Sequence, residues 1–566
     1  MKVVIVGGVA GGATAAARLR RLDEHAQIIV FERSGYVSYA NCGLPYFIGG
    51  TIAEPSALTL QTPESFRARF DVDMRVNHEV TALDVQAKML TVKNLLTGEV
   101  FEEFYDKLIL SPGAKPTQPR LPGVGLEHVF TLRTVEDTFR MKDFIDAHHP
   151  RTAVIAGGGF IGLELAENMR EIGMEVTIVQ RPQQLMKPFD PDMAAFIHAE
   201  ARKHGIKLAL GHTVEGFRET GDGVEMLLAD TDPIPADMVV LAIGVTPDTH
   251  LAQEAGLAMG VRGSILVNDH METSAPDVYA VGDAVQVKHL VTGEETLISL
   301  AGPANKQGRI AADNICGIPS IYRGSQGSSV IKVFDITAAS TGVNETVAKA
   351  AGLAVDHVIL SPMSHAGYYP GGKLMTMKVV FEKETYRLLG AQIVGYEGVD
   401  KRIDVLATAI FAGLRATDLK DLDLAYAPPY SSAKDPVNMA GFMIENIEEG
   451  IVKQWYLGQL EELQDRSERG EVTLLDVRTP AEIALGRIPG FVNIPLDSLR
   501  ERVGELDREK PVYVICQSGL RSYVACRILA GNAFDAYNFA GGYRYFQAVV
   551  NDRALIEAAF PCGADK

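Results

Sequence analysis

Short apolar runs, each closed by glycine and followed by helical periodicity, punctuate this chain. The first is Val3-Val4-Ile5-Val6, which runs into Gly7-Gly8-Val9-Ala10-Gly11-Gly12 and an Ala/Arg-rich helix reaching Arg21. The second is Thr152 to Ala156, followed by Gly157-Gly158-Gly159-Phe160-Ile161-Gly162 and a helix from Leu163. The third is Val512 to Ile515, followed by the loop Cys516 to Arg521 and a helix from Ser522. Buried strands feeding helices across tight turns predict α/β architecture with parallel sheets. Between the second and third openings, Ser329 to about Ile451 alternates like strands, as in Met375 to Phe381, with a helix from Gly398. That stretch reads as α+β. Trp455, the only tryptophan, falls in a connector leading to the last domain.

At 566 residues the chain exceeds one hydrophobic core, so several domains are expected. Hydrophobic residues at 47% and charged residues at 22% exclude a disordered chain. A formal charge of −18 argues against a nucleic-acid partner, which needs a basic face. No apolar run is long enough for a membrane span, and the first one lacks the features of a signal peptide. Cys42, Cys316, Cys516, Cys526 and Cys562 form no zinc-type CxxC pair and are too few for a disulfide framework. The expectation is a cytoplasmic protein with no metal, no membrane and no nucleic acid.

The glycine turns carry the first candidate chemistry. Gly7 closes a strand and Gly12 lets the helix pack close, leaving helix N–H groups to face a pyrophosphate. Val9 stands where the dinucleotide fingerprint has its middle glycine. Glu32 ends the next strand, placed to accept from a ribose. The second turn matches the fingerprint fully through Gly157, Gly159 and Gly162, but its following strand ends at Gln180-Arg181 without an acid. NADH and NADPH therefore both stay open. Two such folds in one chain suit a flavin and a nicotinamide.

Thr273 to Asp283, ending in Val-Gly-Asp, resembles the second FAD motif of the pyridine nucleotide-disulfide oxidoreductases. Leu108 to Ala114 and Val239 to Gly244 resemble that family's hinge strands. The resemblance covers residues 1 to about 450 and implies FAD in the N-terminal fold and NAD(P)H in the nested one. It implies cofactor contacts from Gly7, Gly12, Glu32, Arg33, Val80, Ser111, Gly113, Gly282 and Asp283, and from Gly157, Gly159, Phe160, Ile161, Gly162, Gln180 and Gly244. Phe160 is the candidate gate over the flavin face.

Cys42 lies in Ser38-Tyr39-Ala40-Asn41-Cys42-Gly43-Leu44-Pro45-Tyr46. Glutathione-reductase-type relatives carry a second cysteine five residues on, where Phe47 stands here. A single thiolate must then hold a mixed disulfide, a persulfide or a sulfenic acid. The single-cysteine peroxidase and NADH-oxidase group has a His in the first glycine turn, absent here. The Gly-Gly-Val-Ala-Gly-Gly turn and the Cys42 segment resemble the coenzyme A-disulfide reductases instead. That resemblance implies CoA contacts from Thr14, Arg18, Arg21, Ser38, Asn41 and Lys434; Arg18 and Arg21, at i and i+3, share a helix face. A lysine this group often places near residue 70 is replaced by Phe70, with Arg67 and Arg69 adjacent. The resemblance also implies two tyrosines contributed by a partner subunit of a homodimer, matched by Tyr368 and Tyr426. A phenol beside a departing thiolate stabilises or protonates it.

From about residue 461 the chain resembles a rhodanese domain, on Leu474 to Arg478, Gly486-Arg487-Ile488-Pro489-Gly490 and the Cys516 to Arg521 loop. The usual His of the second segment is Arg487 here. In Cys-x-x-x-x-Arg, successive N–H groups and the following helix aim at one sulfur, lowering the thiol pKa and stabilising a persulfide. Phosphatase loops of this kind are one residue longer. Cys526 reads as core, while Cys316 and Cys562 have no chemical context.

The expected fold is α/β: two nested Rossmann-like dinucleotide-binding domains, an α+β dimerisation domain and a C-terminal rhodanese α/β domain. Expected boundaries are 1–118 with 246–322 for FAD, 119–245 for NAD(P)H, 323–450 for dimerisation and 451–566 for rhodanese. The expected activity is NAD(P)H-dependent reduction of CoA persulfide, polysulfide or CoA disulfide. Cys42, Tyr368, Tyr426, Cys516 and Arg521 are its catalytic candidates. The alternatives are an NADH oxidase or peroxidase, and a sulfur carrier without reductase activity.

Overall fold

The computed structural model describes residues 1–221, 223–229 and 231–559, so Cys562 lies outside the described residues. Two compact units are present: Met1–Met186 with His204–Gly327, and Lys187–Lys203 with the chain from Ser328 on. Among the described residues no helix is long and apolar enough to cross a membrane.

In the first unit, Lys2–Val6 is the centre of a parallel sheet. It pairs with Gln27–Phe31 on one side and Lys107–Leu110 on the other, and Asp73–Arg75 and Val278–Ala280 form the edges. Val3, Val4 and Ile5 are wholly buried, as expected of a parallel strand covered on both faces. The helix Ala10–Leu22 crosses over this sheet and packs against Ala301–Ile315, and glycine sets how closely. A Cβ on Gly308 would lie 2.3 Å from the Gly11 carbonyl oxygen.

A second parallel sheet repeats the design around Thr152–Ala156, flanked by Glu175–Gln180 and Met238–Leu241. The repetition extends to atomic detail. A Cβ on Gly12 would sit 1.9 Å from the Gly7 carbonyl oxygen, and one on Gly162 would sit 1.9 Å from that of Gly157. The helices after the second and third openings begin at Phe160 and Leu520, slightly earlier than their apolar periodicity indicates, because their first turns hold glycine and polar residues. Ala114–Pro116 and Val245–Pro247 form a two-stranded antiparallel link beside the two nucleotide folds.

The second unit holds a five-stranded antiparallel sheet with Leu388–Gly395 at its centre, backed by the helix Val399–Ala412. It also holds a five-stranded parallel sheet in the order Lys453–Trp455, Ala536–Phe539, Val512–Ile515, Thr473–Asp476, Val492–Asn493. Trp455 is therefore not part of a connector. It ends the edge strand of this sheet, wholly buried, with its ring 4.3 Å from that of Phe539 and its indole N–H donating to the Val514 carbonyl at 3.3 Å. A three-residue strand of Lys453, Gln454 and Trp455 is too short to show the alternation that marks a strand, which is why periodicity misses it.

Lys378 is fully buried in this unit, and its ammonium lies 3.0 Å from Asp190, 2.9 Å from Asp192 and 2.8 Å from Glu345. Asp192 in turn accepts from the Tyr545 hydroxyl at 2.7 Å. Burial acts against the lysine's charge, but the three carboxylates outweigh it and raise its pKa. The ion cluster thereby ties the helix Pro191–Lys203 to the antiparallel sheet and to the C-terminal helix Gly542–Ala559.

Candidate functional site

The first glycine turn is shaped by the protein itself. Gly7 has φ +98°, and a Cβ there would meet the Ser111 carbonyl oxygen at 2.0 Å. Glu32 is buried at the end of its strand; its carboxylate accepts from the Gly8 N–H at 2.8 Å and the Ser34 N–H at 2.9 Å. Gly282, at φ +84°, donates its N–H to the buried Gln307 side chain at 2.7 Å, which fixes the backbone that carries Asp283. Asp283 pairs with Arg133 at 2.9 Å, a partner that no sequence motif marked. Ser111 donates its N–H to Val6, and Gly113 adopts φ +71° with the Arg133 guanidinium beside it. Val80 lies in the strand His78–Asp84, paired with Val92. Arg33 is held by Asp248 at 2.7 Å. These residues form a cradle with acidic acceptors at its ends, a donor set that fits a dinucleotide carrying a sugar hydroxyl chain.

In the second turn, Gly157 and Gly162 are required by packing, with Gly157 at φ +115°. At Gly159, where φ is an ordinary −87°, a Cβ would meet no protein atom within 4 Å. Its missing side chain leaves open space at the N-terminus of the helix Phe160–Glu171, where a pyrophosphate can approach the backbone. Phe160 and Ile161 open that helix. Gln180 closes the following strand and accepts from the Gly158 N–H at 3.1 Å. Gly244 adopts φ +116° and accepts from the Thr117 N–H at 2.9 Å. These residues fit a nicotinamide dinucleotide.

Cys42 sits in the short 3-10 turn Asn41–Gly43, directly before the helix Leu44–Ile48, and is solvent-reachable. Partial burial of its thiol raises the pKa, and the charge of Glu164 adds to this, while Arg133 acts the other way. Glu164 comes from the helix Phe160–Glu171, and burial lifts its carboxyl to about 7. The Tyr46 hydroxyl faces it at 3.4 Å and is itself pushed up to about 12, first by burial and then by Glu164. The thiol thus shares its surroundings with an acid that titrates near neutrality. Sequence reasoning missed Glu164; its one signal is its place two residues after Gly162.

Of the positions assigned to CoA, Arg18 is paired with Asp313 at 2.7 Å, and Arg21 is exposed on the same helix. Arg20 between them is structural: its guanidinium bonds the carbonyls of Phe70, Asp23, Glu24, Ala26 and Asp71. Thr14 bonds Asn305. Ser38 takes a left-handed φ of 47° and donates its N–H to Gly8 at 2.9 Å, while the Asn41 N–H bonds the Tyr39 carbonyl. Lys434, in the second unit, is exposed.

Tyr368 and Tyr426, also in the second unit, share a hydrogen bond of 2.6 Å between their hydroxyls and stand 75% and 45% exposed. Their segments are held together by Arg402, which is wholly buried. Its guanidinium donates to the Ser364 and Tyr430 carbonyls, to Ser431 Oγ and to Asp435. The Ala366 N–H also bonds the Ser431 carbonyl at 3.1 Å.

Cys516 is fully buried, and its Sγ accepts from the Gly519 N–H at 3.1 Å and from Ser522 Oγ at 3.2 Å. Arg521, closing the loop, is bound in bidentate fashion to Glu482 at 2.8 and 2.6 Å. Cys526 lies in the core with its pKa raised by burial, and Cys316 is half-buried at a helix end. Arg487 is exposed.

Comparison with known proteins agrees with this geometry. Residues 1–308 match the pyridine nucleotide-disulphide oxidoreductase family, 328–436 its dimerisation domain, and 459–549 the rhodanese-like domain. The chain is 36% identical over 449 residues to a coenzyme A disulfide reductase of Staphylococcus haemolyticus, covering 79% of this chain and 100% of that protein. The solved structure of reduced Bacillus anthracis CoADR-RHD is 48% identical and covers 98% of each chain, with a TM-score of 0.94. A NAD-dependent persulfide reductase from A. fulgidus is 37% identical, covering 97% of this chain and 100% of that one, with a TM-score of 0.90.

Proposed function

The chain belongs to the pyridine nucleotide-disulphide oxidoreductase family, and from that premise we infer that it is an NAD(P)H-dependent flavoprotein reducing CoA persulfide, polysulfide and CoA disulfide. The observation that carries this reading is that its two chemically placed thiols, Cys42 and Cys516, are both free, each without a cysteine partner. Cys42 has the setting of a redox thiol and Cys516 that of a sulfur acceptor.

Bound FAD supplies the path by which an electron pair from NADH or NADPH reaches a disulfide. The glycine turns, Glu32 and Asp283 hold and orient the two dinucleotides. Cys42 alternates between free thiol and a disulfide with CoA or another small thiol. Glu164 and Tyr46 hold a proton beside that thiol, since burial keeps the Glu164 carboxyl partly neutral at pH 7. The Tyr368–Tyr426 pair contributed by a partner subunit donates its outward O–H to the thiolate released when a disulfide or persulfide is cleaved. Thr14, Arg18, Arg21, Ser38, Asn41 and Lys434 are assigned to CoA, with Arg18 exchanging Asp313 for phosphate.

Cys516 takes up sulfane sulfur, its anion held by the Gly519 N–H and the Ser522 hydroxyl. The domain boundaries stay at 118/119, 245/246, 322/323 and 450/451; the antiparallel link Ala114–Pro116 with Val245–Pro247 supports the first two. The dimerisation domain supports a homodimer, and the four unpaired cysteines among the described residues suit a reducing cytoplasm.

Mass spectrometry of the purified enzyme, with Cys42→Ser as comparison, tests the reading. CoA disulfide-linked to Cys42 is expected. The variant is expected to keep FAD and its reduction by NAD(P)H but to lose thiol-substrate turnover by more than about a hundredfold. Turnover of all these sulfur substrates at the parent rate would overturn the reading.

A further inference from the structure

The Cys516 loop reads Cys-Gln-Ser-Gly-Leu-Arg, so Arg521 is its sole charged side chain. A free guanidinium there would attract a dianionic sulfur donor. It is not free. Both of its outer nitrogens bond Glu482, at 2.8 and 2.6 Å, with both groups about two-thirds buried. Glu482 is also fixed from behind, since it accepts from the Thr479 N–H and hydroxyl, each at 2.9 Å, in the capping box of the helix Pro480–Ala484. Arg521, followed by the Thr479 bonds, holds the Glu482 carboxyl down at about 2, so it is ionised throughout the neutral range. Nearby Arg478 is committed as well: it is buried in a pair with Asp476 at 2.8 Å and stacked 3.7 Å over the Tyr543 ring. Arg544, whose N–H bonds the Gln517 carbonyl, carries its guanidinium over the Phe196 ring at 5.9 Å.

We propose that Glu482 sets the sulfur-donor specificity of Cys516: by neutralising Arg521, it makes the loop accept sulfane sulfur from low-charge persulfides and reject the thiosulfate dianion. This rests on the assignment of Cys516 as a sulfur acceptor. The chemistry balances without an added oxidant. In R–S–S⁻ + Cys516–S⁻ → R–S⁻ + Cys516–S–S⁻, one sulfur–sulfur bond breaks, one forms, and the donor leaves as thiolate. With thiosulfate the leaving group is sulfite, and both reactants bring a larger summed charge into the loop. Only donors carrying a single charge at the reacting end avoid that repulsion when Arg521 is already paired. Glu482 is thus a positioning residue that acts through Arg521, and its signature is a ratio between donors rather than a rate.

The test loads the full-length protein with cysteine persulfide or with thiosulfate, then traps and maps the Cys516 persulfide by alkylation and peptide mass spectrometry. The parent is expected to load from the persulfide and to react with thiosulfate at least about tenfold more slowly. Glu482→Gln, which keeps an acceptor for Thr479 but loses the charge, is expected to raise thiosulfate loading about tenfold while persulfide loading changes little. Thr479→Ala, which weakens the cap and spares the ion pair, is expected to retain the parent ratio. Equal loading of the parent from both donors, an unchanged ratio in Glu482→Gln, or the same shift in Thr479→Ala would each overturn the proposal. No loading of the parent from any donor would remove the sulfur-acceptor assignment, and this proposal with it.

Discussion

The Tyr368 and Tyr426 hydroxyls lie 2.6 Å apart although the residues are 58 positions apart in sequence. The pair therefore has one hydroxyl proton committed between the two oxygens and one free to donate outward, and the bond from Tyr368 raises the Tyr426 pKa. Tyr368→Phe and Tyr426→Phe are each expected to slow disulfide and persulfide reduction by roughly 10²–10³-fold, leaving hydride transfer to FAD intact. Because the two act as a unit, the double variant should be little worse than the worse single one. Rapid-reaction absorbance of the flavin beside steady-state turnover separates the two steps; multiplicative losses would assign the phenols independent roles.

Arg402 is the tie between the two tyrosine segments. Replacing it with Met removes the nearer cation of the buried Asp435 and leaves only Lys401 at 3.8 Å, a loss of up to about 3–5 kcal/mol when one partner of such a pair is removed. Arg402→Lys keeps the charge but not the several donors that reach Ser364, Tyr430 and Ser431. It is expected to stay folded, with a depressed kcat for disulfide substrates. Thermal unfolding and kinetics on the two variants check this. A Lys variant with parent kcat would separate the tie from catalysis.

Glu164 is raised to about 7, so its carboxyl is neutral below that pH and gains charge as pH rises through it. The charge that appears is one of the causes holding Cys42 up. Glu164→Gln removes it, so Cys42 is expected to react faster with iodoacetamide above pH 7 and at nearly the parent rate well below it. Parallel pH profiles for the two proteins would show that Cys42 does not sense the Glu164 charge.

Gln180, in place of an acid, leaves no carboxylate to accept the 2′-hydroxyl of NADH or to repel the 2′-phosphate of NADPH, and Arg181 beside it is exposed. Both cofactors are expected to reduce the flavin, with kcat/KM values within about tenfold of each other. Gln180→Glu is expected to shift the ratio toward NADH by about tenfold or more, from the added repulsion. An unchanged ratio would locate cofactor choice elsewhere.

Cys516→Ser is expected to impair substrates that must first load sulfur on Cys516, while preformed CoA disulfide is reduced at the parent rate. The two thiols differ in kind: only Cys42 belongs to the unit that carries the dinucleotide turns. NAD(P)H consumption with polysulfide and with CoA disulfide measures the difference. Equal losses would make the domain structural.

The parallel-sheet openings, the two dinucleotide turns, the lone cysteine at 42 and the Cys516 loop are all legible in the order of residues. Each of these is a local matter. Gly7 and Gly157 stand out because a positive φ and a strand-to-helix turn constrain the residues that make them. Folding in three dimensions is what sets Glu164 beside Cys42, brings Arg133 to Asp283, ties two loops behind the tyrosines through Arg402, and lets Glu482 quench Arg521. Those partners lie between 28 and 150 positions apart where a hydrogen bond joins them. Hydrophobic periodicity reports which face of an element is buried, and crossover connections decide what that face meets. Trp455 shows the same limit: its strand exists because Ala536–Phe539 pairs with it, and its own flanking residues carry no such signal.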